Sequence, residues 1–387
     1  MSSLVVHKRV SDSDMEGMVG QFIDMDIHAE SASDWIVVKR PETMGVTSVY
    51  KASTNSLLCS IVWGAVPNDM RRLALSSYLN AGKSTKYMST NRGAAAGVVT
   101  YERTHVGTYS RGVAANSGII GYINSANHKR PCRLTAFSRD HFDQYDKGLP
   151  FIRCVDDCFR EHIPDAYRLQ KTEAERTAYR IADTSFSTVT VNYNFRTALH
   201  KDAGDFKDGF GNLVVLHEDV IHDGGIDNDN DNDNERGGML LFPQYKVAVK
   251  LGSGDFMAMD VHEWHCNSAL QLQPGQFRLS FVCYLRENME RCALVNQRLI
   301  AINGNLDGKA WDTEKIVTDI VGEGATRQLN GTGPPPWNIQ WWTLTSADGR
   351  FQLEYKNKRY VLTDHVAGHK IRNLISAWDY CHAIHFV

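Results

Sequence analysis

From about residue 184 the apolar pattern shifts its period from about 3.6 residues to about 2. Phe186, Thr188, Thr190, Asn192 and Asn194 alternate with Ser187, Val189, Val191 and Tyr193, and on a strand such alternation sends successive side chains to opposite faces. Further short segments of strand character follow at 213–216, 239–242, 247–250, 255–259 and 278–285, separated by Gly- and Asp-rich turns. Short strands in series with no helix between them exclude a βαβ fold and predict a sandwich or barrel, and a jelly roll fits the count.

The rest of the chain surrounds this region. Residues 1–60 show no clean period and are broken by Pro41 and Gly45. Helices are predicted over 67–80, with Asn68 or Asp69 as cap, and over 150–182 with a stop at Pro164. Residues 83–117 read as a mildly basic loop, and 117–123 as a strand. Residues 227–234, DNDNDNDN, lack the Gly and late Glu of a calcium loop and read as a solvated, disordered insertion spanning about 223–236. Phe351–Tyr355 and Arg359–Leu362 alternate around Lys356–Lys358 and predict a hairpin in a C-terminal accessory segment, 301–387. The expected organisation is an N-terminal flank (1–110) packed on a β-rich α+β core (111–300), followed by that segment.

Composition narrows the function classes. A net charge of −3 over 387 residues disfavours a protein that coats nucleic acid by bulk charge, but not one that grips DNA through a local basic patch. No run of about 18 apolar residues is present, so no membrane-spanning helix is expected. The N-terminus lacks a signal-peptide core, and none of the eight cysteines forms a CxxC pair. The expectation is an intracellular protein with free thiols, nuclear in a eukaryotic host, and monomeric by default.

The chemistry concentrates in two places. His200-Lys201-Asp202 puts a His and a carboxylate two residues apart, on one side of a strand. A later strand, Gly254–Asp260, runs into His262-Glu263-Trp264-His265. Two histidines and one carboxylate form the facial triad of non-haem Fe(II) oxygenases, which leaves positions open for a 2-oxoacid and dioxygen. His265 is preferred to His262 because it lies nearer the next strand. There Arg278 offers a rigid fork for a co-substrate carboxylate, and Ser280, two residues on, adds a hydroxyl on the same side. His217 and His222 flank the acidic run and read as solvated.

Longer runs carry a family resemblance. NYNFRTALHKDAGDFKDGFGNLVVL (192–216), GDFMAMDVHEWHCNSAL (254–270), RLSFVCYLRENM (278–289), SGIIGYINSANHKRPCRLTAF (117–137) and KGLPFI (147–152) resemble the ten-eleven translocation / J-binding protein (TET/JBP) family. The resemblance covers about 110–292. It implies a double-stranded β-helix, the jelly roll, with flanking helices. It implies Fe(II) on His200, Asp202 and His265, and 2-oxoglutarate on Arg278 and Ser280, with Arg196 as a looser match.

The substrate implied is a flipped 5-methylpyrimidine in DNA. Asp205 completes His200-x-Asp202-x-x-Asp205, and a carboxylate there would accept from the exocyclic amine of cytosine, whereas thymine presents a carbonyl. This favours 5-methylcytosine over the thymine of J-binding-protein-type enzymes. Asn124 is a second candidate base contact. Arg286 stands where some relatives carry a base-contacting His. Lys129, Arg130 and Arg133, together with Lys83, Lys86 and Arg92, are the candidate phosphate contacts. An algal branch of the family uses ascorbate and transfers a glyceryl group to 5-methylcytosine. Arg278 favours 2-oxoglutarate, since ascorbate lacks the far carboxylate.

Overall fold

The structure, a computed structural model, describes residues 2–25, 34–89, 92–97, 102–104, 107–109, 115–123, 133–177, 179–217, 237–289, 324–332, 340–356 and 359–371. The acidic run and His222 lie outside these residues. The chain divides into two compact units, residues 1–291 and 292–387.

The N-terminal part of the first unit holds β1 (Ser2–Val6), β2 (Ile36–Val38), β3 (Val46–Lys51), β4 (Leu57–Val62), a two-stranded ribbon of β5 (Glu102–Thr104) and β6 (Gly107–Tyr109), then β7 (Ser117–Ile123) and β8 (Arg133–Leu134). The alternating region supplies β9 (Thr188–Tyr193), β10 (Gly211–His217), β11 (Leu240–Phe242), β12 (Val247–Val249), β13 (Phe256–Met259), β14 (Cys266–Asn267) and β15 (Arg278–Tyr284). Helices are α1 (Asp12–Gly17), α2 (Asn68–Lys83), α3 (Ala136–Asp140), α4 (Phe142–Lys147), α5 (Leu149–His162) and α6 (Pro164–Ala174).

Two sheets build the roll. The larger runs β1-β3-β4-β13-β10-β15-β9-β7-β8, and the smaller β14-β11-β12-β2. The central four strands of the larger sheet, β13-β10-β15-β9, are antiparallel throughout. Leu213, Val215, Met257 and Met259 from this sheet share one buried cluster with Leu240, Phe242, Val247 and Val249 from the smaller sheet, so the two sheets face each other across a common core. This is the expected double-stranded β-helix.

Register decides what looks inward. β15 pairs Ser280 with Asn192 of β9 and with Val215 of β10. Arg278, Ser280, Val282 and Tyr284 therefore share the interior face with Thr188, Thr190 and Asn192. The alternate residues face the helices: Phe281 packs on Phe151 of α5 with ring centroids 4.9 Å apart and on Tyr78 of α2 at 6.2 Å. Helix α2 lies so close to β7 that a Cβ on Gly118 would stand 1.9 Å from the Ala81 carbonyl oxygen.

Differences from the expected elements have local causes. Pro67 occupies the cap of α2, and no side chain caps the helix. The second predicted helix splits at Pro164 as expected but ends at Ala174, not 182. The flank is not merely packed on the core: β1, β3 and β4 extend the larger sheet, and β2 pairs with β12 in the smaller. β4, LLCSIV, lies between β3 and β13 and is buried from Leu58 onward, so it reads as an apolar run without alternation. Residues 83–117 hold two short 3₁₀ turns and the β5–β6 ribbon.

The second unit is a sheet in the order β16 (Thr326–Thr332), β17 (Gln340–Thr345), β18 (Phe351–Lys356), β19 (Arg359–Asp364) and β20 (His369–Ile371). Each strand runs antiparallel to the next. The predicted hairpin is β18–β19, with Lys356 opposite Arg359 and Phe351 opposite Asp364. No helix among the described residues is long and apolar enough to cross a membrane.

Candidate metal centre

The chain leaves β9 through Asn194, which adopts φ 49° and closes the turn against Arg278. The Asn194 N–H donates to the Arg278 carbonyl at 2.9 Å, and the Arg278 N–H donates to Asn194 Oδ1 at 2.8 Å. Six residues later His200 pairs with His265 in an isolated antiparallel bridge. Each donates its backbone N–H to the other's carbonyl, at 3.1 and 3.0 Å, which brings the ring centroids to 4.3 Å. The Asp202 N–H is held by the Val261 carbonyl at 3.0 Å.

The three side chains converge. His200 Nε2 lies 3.5 Å from Asp202 Oδ1, and His265 Nε2 lies 3.8 Å from Asp202 Oδ2. One ligand atom from each residue falls within 4.8 Å of the others. Both rings are oriented by their own backbone: His200 Nδ1 lies 2.8 Å from the Ala198 carbonyl, and His265 Nδ1 lies 2.9 Å from the Glu263 carbonyl. A carbonyl only accepts, so each Nδ1 carries the proton and each Nε2 keeps its lone pair toward the shared centre.

Electrostatics agree with a ligand set. Burial and the adjacent His200 push His265 down to about 4, so its ring is neutral at pH 7. Burial works to raise the Asp202 carboxyl. Its contact with His200 and the charges of His200, His265 and Arg92 outweigh that effect and hold it below the usual carboxylate range. Metal–ligand bonds of about 2.1 Å put neighbouring ligands about 3 Å apart. The donor atoms thus need only a small inward movement, and two imidazoles with one carboxylate suit Fe(II).

Arg278 and Ser280 are both buried on the interior face. No hydrogen bond or ion pair engages the Arg278 guanidinium among the described residues. Burial pulls it down to about 10, and a cation buried without a partner calls for an anion. Gly238 lies against its stem: a Cβ there would meet Arg278 Cδ at 3.0 Å. Beside it, Asn192 bridges the strands, accepting from Ser117 Oγ at 2.5 Å and donating to Ser280 Oγ at 3.4 Å.

Asp205 sits past the metal loop in an isolated bridge with Arg286. Burial and the charge of Asp202 push its carboxyl well above the usual range, against the opposing charges of Arg286 and Arg92.

Other predicted residues fall elsewhere. The Arg196 guanidinium is engaged by Asp24 Oδ1 at 2.6 Å, the Ile23 carbonyl at 3.0 Å and the Asn267 carbonyl at 3.2 Å, with the Phe22 ring 5.0 Å away. Lys86 pairs with Asp140 at 2.7 Å, and Lys83 lies over the Tyr193 ring at 5.6 Å. Asn124, Lys129 and Arg130 lie outside the described residues, and Arg133 opens β8.

Sequence reasoning missed three features. Arg92, grouped above with phosphate contacts, reaches inward to Thr190 Oγ1 at 3.3 Å and acts on Asp202 and Asp205. His217 is not solvated: it is 4% exposed and stands opposite Arg278 across β10 and β15. The period-2 pattern through Leu213 and Val215 could have placed it inside. His262, the unchosen histidine, contacts the Phe206 carbonyl through Nε2 at 3.2 Å, which ties the metal turn to the loop bearing Asp205.

Residues 118–287 match the Tet_JBP family, described as the oxygenase domain of the 2OGFeDO superfamily. The bifunctional helicase and thymine dioxygenase JBP2 of Leishmania tarentolae is 30% identical over 223 residues, covering 56% of this chain and 19% of that protein. JBP2 of Trypanosoma brucei brucei is 35% identical over 175 residues, covering 44% of this chain and 15% of that protein. The chain thus spans about one-fifth or less of the length of these relatives. Among solved structures, NgTET1 in complex with 5mC DNA aligns with a TM-score of 0.39 at 10% identity, covering 73% of this chain and 93% of that one. The superfamily's cofactors are Fe(II) and 2-oxoglutarate, and the His200–Asp202–His265 cluster fits Fe(II). What these comparisons show of this chain is a likeness, over residues 118–287, to the oxygenase domain of the TET/JBP family in the 2OGFeDO superfamily.

Proposed function

We propose that this chain oxidises the 5-methyl group of a pyrimidine in DNA, with 5-methylcytosine as the base, using Fe(II), dioxygen and 2-oxoglutarate. The observation that carries the reading is the meeting of His200, Asp202 and His265 on a roll whose interior also holds a buried Arg278 whose guanidinium has no partner among the described residues. In this reading the two histidines and Asp202 hold the iron through Nε2, Nε2 and a carboxylate oxygen. Arg278 receives the far carboxylate of 2-oxoglutarate, and Ser280 adds a hydroxyl donor. When bound, the iron supplies activation of dioxygen, coupled to decarboxylation of the co-substrate.

The chain's own residues govern access and choice of base. A stacked base cannot reach a buried centre, so the target is flipped out at a cost of a few kcal/mol. Asp205 then accepts from the exocyclic amine of cytosine, and Asn124 is the second base contact. Lys129, Arg130 and Arg133 hold backbone phosphates. Arg196 serves by holding the N-terminal segment, given its bonds to Asp24 and Ile23. In a eukaryotic host the site of action is the nucleus.

A second reading, thymine hydroxylation, is favoured by one observation: Arg286 stands opposite Asp205, and a guanidinium donates to the carbonyl that thymine presents. The relatives described above are named thymine dioxygenases. Nucleoside mass spectrometry separates the readings, after incubation of the protein with Fe(II) and methylated duplex DNA. 5-Hydroxymethylcytosine formed only with 2-oxoglutarate, and lost in His200→Ala/Asp202→Ala, is the expected result. Hydroxymethyluracil would move the base to thymine, and a glyceryl adduct formed with ascorbate alone would replace the co-substrate.

A further inference from the structure

Residues 1–117 precede the matched family segment, yet they reach the metal centre from two sides. On one side the Gly20 N–H donates to the Leu199 carbonyl at 2.8 Å, and the Leu199 N–H donates to the Gln21 carbonyl at 2.9 Å. This stretch therefore flanks the segment that ends in His200. On the other side Lys51, at the end of β3, reaches the turn that carries His265. Its Nζ lies 2.8 Å from Asp260 Oδ2 and 3.0 Å from Glu263 Oε1.

Glu263 has two roles in that turn. Its carboxylate accepts from Lys51, and its main-chain carbonyl accepts from His265 Nδ1 at 2.9 Å. Asp260 anchors the start of the turn: its N–H donates to the Leu58 carbonyl at 2.9 Å, and its Oδ1 accepts from the His262 N–H at 3.0 Å. Lys51 is 9% exposed, and a lysine is rarely that buried unless it is paired. Burial works to lower its ammonium, and the bonds and charges of Asp260 and Glu263 outweigh this and raise it. Without the ammonium, two carboxylates three residues apart would repel each other away from bulk water. Turning Glu263 toward solvent relieves the repulsion and rotates the carbonyl that orients the His265 ring.

We propose that Lys51 is a positioning residue for the metal centre, acting through the Asp260–Glu263 turn on the orientation of His265. The N-terminal flank is thereby part of the metal-binding apparatus. The inference rests on the reading of His200, Asp202 and His265 as metal ligands.

The test uses the full chain with Co(II) as probe, its visible absorption reporting ligand geometry and a thermal scan of the metal-free protein reporting folding. Lys51→Met is expected to weaken Co(II) binding by about 10- to 100-fold and to alter the absorption band. Lys51→Arg, which keeps the charge, is expected to restore both. A purely structural role would lower the thermal midpoint and leave the band of the metal-bound form unchanged. Parent-like affinity and spectrum in a folded Lys51→Met protein would overturn the proposal. Where Lys51→Met does not fold, Lys51→Gln decides: it leaves Asp260 and Glu263 facing each other without the ammonium, so weakened binding supports the proposal and unchanged binding overturns it. If the parent chain binds no Co(II), or His200→Ala/Asp202→Ala binds it equally well, the metal reading fails first and takes the role of Lys51 with it.

Discussion

His200 and His265 exchange both backbone hydrogen bonds, at 3.1 and 3.0 Å, and this single pairing sets their rings 4.3 Å apart. Two ligands 65 positions apart are thus fixed relative to each other by main chain rather than by side-chain packing. The backbone carbonyls of Ala198 and Glu263 then hold each ring by Nδ1. The geometry is set before any metal binds.

Metal binding should therefore stabilise the folded protein measurably. At a metal concentration one hundred times the dissociation constant the gain is about 2.7 kcal/mol. A thermal scan with Fe(II) or Co(II), against one with chelator, is expected to show the shift. Asp202→Ala should abolish it while leaving the metal-free midpoint close to the parent's.

Arg278→Met should separate stability from co-substrate binding. A guanidinium with no partner among the described residues opposes folding, so its replacement by a methionine is expected to be neutral or stabilising in the ligand-free protein. The same change removes charge-assisted bonds worth about 1.5–3 kcal/mol. The KM for 2-oxoglutarate should rise by about 10- to 150-fold as a result. Lowered stability with unchanged KM would contradict this assignment.

The metal-free protein should lose stability as pH falls from about 6.5 to about 4. His265 titrates near 6.5 when unfolded and at about 4 when folded. Between these values the unfolded chain binds more protons, so stability rises with pH across that window. The contribution from this one residue reaches about 3 kcal/mol. His265→Gln should flatten that part of a denaturation-versus-pH curve.

Asp205→Asn should relax the choice of base. An amide both donates and accepts, so it no longer prefers the cytosine amine over the thymine carbonyl. The ratio of products on 5-methylcytosine and thymine should shift by the equivalent of about 1–3 kcal/mol. An unchanged ratio would mean that Asp205 serves only the loop.

Gly118→Ala tests the seating of α2. The added Cβ would fall 1.9 Å from the Ala81 carbonyl oxygen, so helix and sheet must separate. Overpacking of this kind costs about 1–3 kcal/mol, which equilibrium denaturation would register.

Much of this molecule was legible in one dimension. The alternation from 186 onward marks β9, and strand periodicity puts Arg278 beside Ser280, because that rule is local; His200 and Asp202, expected on a strand, lie past its end, in an isolated bridge and a loop. The jelly roll follows from a run of such strands. Tertiary structure decided the rest, because burial and partnership depend on residues far away in sequence. That His265 meets Asp202, while His262 turns to Phe206, depends on a bridge to His200. Asp24 takes Arg196, from 172 positions away. β4 hides its period because strands cover it on both edges and both its faces are buried. Lys51 lies in a stretch with no clean period, and nothing local marks it until folding closes the 209 positions between it and Asp260.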